Sequence, residues 1–235
     1  MLADLRRSVA GRSQTFARSA ALLLLSSAGI AAGGCGSGHP ATPAALRLER
    51  EDLIAVCHAL KSAEGPVAAE VAATKAAWPL VANGLPAATT TVARPLLRAA
   101  TAAAARLTVP ALFQEAQAAA LTGPGSEIAG LFRSFSTLAT RGWQLIGSSI
   151  DEIEHGSPVA AKFARANVAL YIDSVYDAHF TLAQVGKKLL DAYKKLGGPA
   201  AFGAVLTQAE IEALAQSYSE PSDRLHPHVG VRLGS

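Results

Sequence analysis

The chain has only two cysteines in 235 residues, Cys35 and Cys57, so it holds no Cys-x-x-C redox or zinc motif. Other signatures of chemistry are missing too. There is no Gly-x-Ser-x-Gly nucleophile turn, no His-Glu-x-x-His zinc helix and no phosphate-binding Gly-x-x-x-x-Gly-Lys loop. No cofactor motif replaces them. Runs of alternating β-branched and polar residues are also lacking, which excludes a sheet and leaves an all-α chain. The clearest apolar run, Ser19 to Ile30, is too short to cross a bilayer as a permanent helix. Basic residues outnumber acidic ones, 21 to 18, yet no Lys/Arg stripe is interleaved with aromatics. A nucleic-acid partner is excluded on that ground.

What is present at the start is a targeting pattern. Arg6, Arg7, Arg12 and Arg18 form a positive region, Ser19 to Ile30 an apolar one, and small residues follow up to Cys35. The ending Ala32-Gly33-Gly34-Cys35 resembles the lipobox of bacterial lipoproteins, with Ala32 in place of the usual leucine. The resemblance implies that residues 1–34 are a signal peptide and that Cys35 becomes the lipidated first residue. It also implies a membrane-anchored protein on the extracytoplasmic side of the cell envelope. Four arginines and Asp4 leave with the signal, so the 21 basic and 18 acidic residues both fall to 17. The mature chain is formally neutral, and the high isoelectric point belongs to the signal. With Cys35 under lipid, Cys57 has no disulfide partner. Its step with Leu46, Leu53 and Leu60 marks it as a small buried hydrophobe.

Residues 35–43 read as the lipidated cysteine and a short polar tether, 44–219 as a helical bundle and 220–235 as a loose tail. Thr42-Pro43 is a helix start, and Glu64-Gly65-Pro66 is expected to break that helix before a second one to Ala82. An alanine-rich helix over 92–107 permits close approach of a neighbour, and a further helix is expected over 111–121. Thr122-Gly123-Pro124-Gly125 reads as a breaker, after which Ser126 caps a helix over 127–155. Its apolar face is Phe132, Phe135, Ala139, Trp143, Ile146, Ile150 and Ile153. Ser157-Pro158 opens a long helix that Gly197-Gly198 closes. Along it runs a seam of Val168, Ile172, Val175, His179, Leu182, Gly186, Leu189, Tyr193 and Leu196, in steps of three and four.

The short Gly156-Ser157 turn makes these two helices a long antiparallel hairpin, the base of the bundle. Counting back from the turn sets Asp151 near Lys162 and Arg141 near Asp173. Thr207-Gln208-Ala209-Glu210 is a capping box for a last helix to Tyr218. Pro66-Val67-Ala68-Ala69 echoes Pro158-Val159-Ala160-Ala161, as a duplicated hairpin or as coincidence in an alanine-rich chain.

Few residues invite chemistry. Asp173 and Asp177, with Tyr176 beside them, sit four apart on one helix face, a spacing that can chelate a cation or share a proton. Their bland reading is a solvated face. His179 is the one polar member of the seam, and a buried imidazole needs a partner, sought here in Ser134 or Ser136. Glu152-x-x-His155 is half of a di-metal motif without its other half, and Asp223, His226 and His228 lie on a tail with nothing to orient them. Lys187, Lys188, Lys194 and Lys195 complement the helix dipole and pair with Asp191. The function expected from all this is a membrane-tethered binding or structural module with an envelope protein as partner. The alternative is a small-molecule or metal-binding bundle built around His179 and Asp173.

Overall fold

A computed structural model describes residues 42–82 and 90–223. Within them lie α1 (Pro43–Ala82), α2 (Thr90–Ala105), a 3₁₀ turn (Ala111–Phe113), α3 (Glu115–Ala118), α4 (Gly123–His155), α5 (Pro158–Lys195), α6 (Gly198–Phe202) and α7 (Gln208–Asp223). No strand occurs among the described residues, and the fold is an all-α bundle. The expected signal segment, Cys35, the expected tether up to Ala41, His226 and His228 lie outside the described residues. Among the described residues no helix is long and apolar enough to cross a membrane.

Helix α5 follows its local signals. Ser157 Oγ accepts the Ala160 N–H at 3.2 Å, Pro158 occupies the first turn, and Gly197 ends the helix at φ 109°. Thirty-eight residues make a rod of about 57 Å. All nine seam residues are buried. On α4, Phe132 through Ile150 are buried and Ile153 is half-buried.

Contacts between α4 and α5 run in opposite order along the two helices. Lys188 Nζ meets Glu127 Oε1 at 2.6 Å, His179 lies edge-on to Phe135, and Val175 seats on Gly142. A Cβ on Gly142 would stand 2.8 Å from Val175 Cγ2, so glycine sets both the spacing and the register there. Asp151 with Lys162 and Arg141 with Asp173 are the pairs expected to come level. All four side chains are exposed, and neither pair forms an ion pair. Lys188 pairs with Glu127 across the helices rather than with Asp191 on its own. Both members are substantially exposed, so the pair stabilises little.

The expected break in α1 does not occur: the helix runs 40 residues straight through Pro66 and Pro79. An interior proline costs about 3 kcal/mol or more. Against that stands an unbroken buried stripe, Leu60, Ala63, Val67, Val71, Thr74, Ala77, Trp78 and Val81. Each buried Val-sized side chain contributes about 1.5–3 kcal/mol, so continuing the helix wins. Ser62, whose carbonyl the proline cannot bond, and Gly65 face solvent, where water serves the freed backbone. Pro66 therefore opens no second arm, and the echo with Pro158 marks no second hairpin.

Three other boundaries moved. Helix α4 starts at Gly123, because Asp52 Oδ2 holds the Thr122 N–H at 2.8 Å and its hydroxyl at 2.6 Å, and Gly123 turns at φ 48°. Residues 111–121 form no single helix. Extended Gln114 separates the 3₁₀ turn from α3 while fully buried Phe113 packs 5.3 Å from Phe132. The last helix continues past Tyr218 to Asp223, behind a Thr207–Glu210 box in which each residue accepts the other's N–H. Hydrogen bonds from the Thr207 N–H and then the Thr207 hydroxyl hold the Glu210 carboxyl below the usual carboxylate range.

Two apolar clusters result. The larger joins α1 up to Val71, the 3₁₀ turn, the first part of α4, the second part of α5, α6 and α7. The smaller joins the end of α1, Leu97, Ala100 and Ala104 of α2, and Trp143, Ile146, Val168, Ile172 and Val175. Helices α1, α4 and α5 run through both. Helix α7 closes on α5 at Gly186, where any side chain would overlap the Ala215 carbonyl and the Ser219 hydroxyl.

Candidate functional site

The boundary between the two clusters is polar. Glu70 and Thr74 on α1 are fully buried between Val67 and Ala77, and His179 on α5 is 1% exposed between Val175 and Leu182. Trp143 Nε1 donates to Thr74 Oγ1 at 3.0 Å, and Thr74 Oγ1 donates to Glu70 Oε1 at 2.8 Å. The same carboxylate oxygen faces His179 Nε2 at 3.3 Å. One connected chain therefore ties α1, α4 and α5 together at a single level. Glu70 Oε2 and His179 Nδ1 have no partner among the described protein atoms.

An acid and an imidazole meet here away from solvent, and leaving either without the other would strand a buried polar group, at a cost of several kcal/mol. Both groups are shielded from solvent, and their contact ties α1 to α5. The expected partners of His179 are not its partners: Ser134 is exposed, and Ser136 is buried without reaching the imidazole. Val67, Glu70, Val71 and Thr74 form one helical stripe C-terminal to Pro66, and its lone acid is the signal that finds the site.

The remaining candidates do not converge on His179. Six residues of helix put Asp173 on a different face, and both Asp173 and Asp177 are exposed while Tyr176 is half-buried against the smaller cluster. Partial burial and then the nearby Asp173 charge raise the Asp177 carboxyl above its ordinary value. Glu152 and His155 are exposed at the end of α4. Among the described residues no group of three or more His, Cys, Asp or Glu is placed to hold a metal ion. Cys57 is 4% exposed, and burial pushes its thiol up to about 12, so it is no nucleophile at neutral pH.

An open cleft lies elsewhere, between α2 and α4. Fully buried Ala100 and Ala104 let α2 approach closely enough for Thr101 Oγ1 to reach the Trp143 carbonyl at 3.2 Å. Thr140 Oγ1 bonds the Ala104 carbonyl at 3.0 Å. Beside this contact the helices leave a cleft of about 640 Å³. Its floor is Leu97, Ala102, Ala105, Gly147 and Ile150, and its polar walls are Arg94, Arg98, Gln144, Ser148 and Asp151. Arg94 is committed to Glu154 through two hydrogen bonds, and its pKa is raised mainly by them. Arg98 and Asp151 form no ion pair among the described residues. Among the described residues the cleft thus offers a cation, Arg98, and an anion, Asp151, outside any ion pair over an apolar floor.

The chain matches no protein-family model, no curated protein and no solved structure.

Proposed function

We propose that this chain is a lipid-anchored protein of the bacterial cell envelope whose helical bundle serves as a binding or structural module on the extracytoplasmic side. The observation that carries the reading is the N-terminal order of charge, apolar run and small residues ending at Cys35. Six residues separate Cys35 from Thr42, where the described fold opens. A link of that length reaches about 20–25 Å at most, so the bundle rides next to the lipid surface, within reach of other envelope proteins. Cys35→Ala is expected to block processing and to move the protein out of the detergent phase. An unchanged mature mass and unchanged partitioning would overturn the anchor and the localisation with it.

A second reading, small-molecule binding, is favoured by the α2–α4 cleft rather than by His179. Arg98 and Asp151 on its walls suit a small zwitterion with a carboxylate and an ammonium group, while Gln144 and Ser148 supply hydrogen bonds. Thermal unfolding with a panel of amino acids and dipeptides checks this. A ligand-dependent rise in melting temperature that Arg98→Ala and Asp151→Asn both abolish is expected. If no compound shifts the wild type, the cleft binds no such zwitterion.

A further inference from the structure

The outer face of α5 carries an apolar stripe with no partner among the described residues. Val159, Phe163 and Leu170 are 65%, 66% and 65% exposed, unusual values for large hydrophobic side chains. At about 100° per residue they fall, with exposed Ala166, within an arc of about 60°. Charge is sorted along the same face. Exposed Lys162 lies toward the N-terminal end, and exposed Asp173 and Asp177 close the C-terminal end.

We propose that this stripe is the interface for a second copy of the chain, with the two α5 helices antiparallel about a two-fold axis near Asn167. That arrangement makes the face complementary to itself. Lys162 of each copy comes level with Asp173 of the other, and Phe163 lies beside Leu170. Asp177 comes level with Pro158, at the positive end of the other helix. In an antiparallel pair related by a two-fold, flanks of the same side meet, and Lys162 and Asp173 share a flank. A parallel pair would instead bring Lys162 level with Lys162 and Asp173 level with Asp173, on opposite flanks, and pair no lysine with an aspartate. Asp173 and Asp177 also repel each other, which adds to partial burial in raising the Asp177 carboxyl, and the incoming lysine relieves that repulsion. The two aspartates also argue against an anionic lipid surface as the occupant of this face. A stripe of three to four turns is smaller than the ~800 Å² per partner of a lasting interface, so the dimer is reversible and concentration-dependent.

Zero-length carbodiimide coupling of the full chain, mixed from light and heavy-nitrogen preparations, tests the pairing directly. Within one chain Lys162 and Asp173 are about 16 Å apart along a straight helix, too far to couple. A Lys162–Asp173 cross-link of mixed isotope composition is the expected product. Sedimentation velocity at micromolar concentrations supplies the second arm. Lys162→Asp and Asp173→Lys alone should each weaken dimerisation by about tenfold or more, and both together in one chain should restore it to within about threefold. All these positions are exposed, so helical content and melting temperature should stay at wild-type values. A chain that stays monomeric and gives no such cross-link overturns the proposal. So does a dimer indifferent to the charge reversals. Protection of Phe163 and Leu170 only on addition of phosphatidylglycerol vesicles would overturn it in favour of a membrane contact.

Discussion

His179→Leu alone is expected to destabilise the protein by about 3–5 kcal/mol, the usual penalty for stranding one member of a buried ionisable pair. The variant leaves Glu70 fully buried, with the Thr74 hydroxyl as its remaining partner. Glu70→Leu alone should cost less, about 1–3 kcal/mol, since the orphan is then an imidazole, while the Thr74 hydroxyl keeps the Trp143 indole N–H. The informative variant is the double one. Replacing both by leucine removes the polar boundary and joins the two apolar clusters, so its stability should lie near wild type or above it by up to about 4 kcal/mol. Urea unfolding followed by circular dichroism gives the three values, and their non-additivity measures the coupling. Simple addition of the single losses would mean that the 3.3 Å contact carries no energy. A stable double variant would raise its own question, namely what the pair is kept for. Its place, at one level across α1, α4 and α5, suits a device that holds helix register. Lost cooperativity of unfolding in the double variant would support that role.

Phe132→Ala should cost about 3–5 kcal/mol, the range for emptying a buried aromatic site. Phe132 is 1% exposed and stands within 6.3 Å, centroid to centroid, of Phe113, Phe135 and Tyr218. These rings belong to the 3₁₀ turn, α4 and α7, so the cavity would open where three separate elements meet. Tyr218 also donates its hydroxyl to the Leu60 carbonyl at 2.7 Å, and burial raises the pKa of that phenol. Ultraviolet difference titration therefore reads the local consequence. In the variant the Tyr218 phenol should ionise at lower pH than in the wild type. A loss below about 1 kcal/mol would mean that the site collapses around the missing ring.

Where the sequence was legible, the information was local. The cap at Ser157-Pro158, the stop at Gly197 and the three-and-four spacing from Val168 to Leu196 locate α5 and its buried face without any knowledge of its neighbours. The same holds for the Thr207–Glu210 box and for the Phe132-to-Ile150 face of α4. Cap geometry and helical period depend on residues a few positions apart, and those are visible in one dimension. The His179 site was half legible. A polar residue in an apolar seam announces a buried group, but its partner is 109 residues away on another helix.

By itself, the sequence determined the all-α class, the extents of the best-capped helices and which faces they bury. Tertiary structure decided the path of α1 through Pro66, the choice of Glu70 over Ser134 or Ser136, the register of Gly142 on Val175, and the cleft beside Thr101. The physical reason is the same in each case. A proline's local cost of about 3 kcal/mol is outweighed only by burial summed over side chains that other helices supply, and register depends on which glycine lets a neighbour approach. Those energies exist only once distant segments have met.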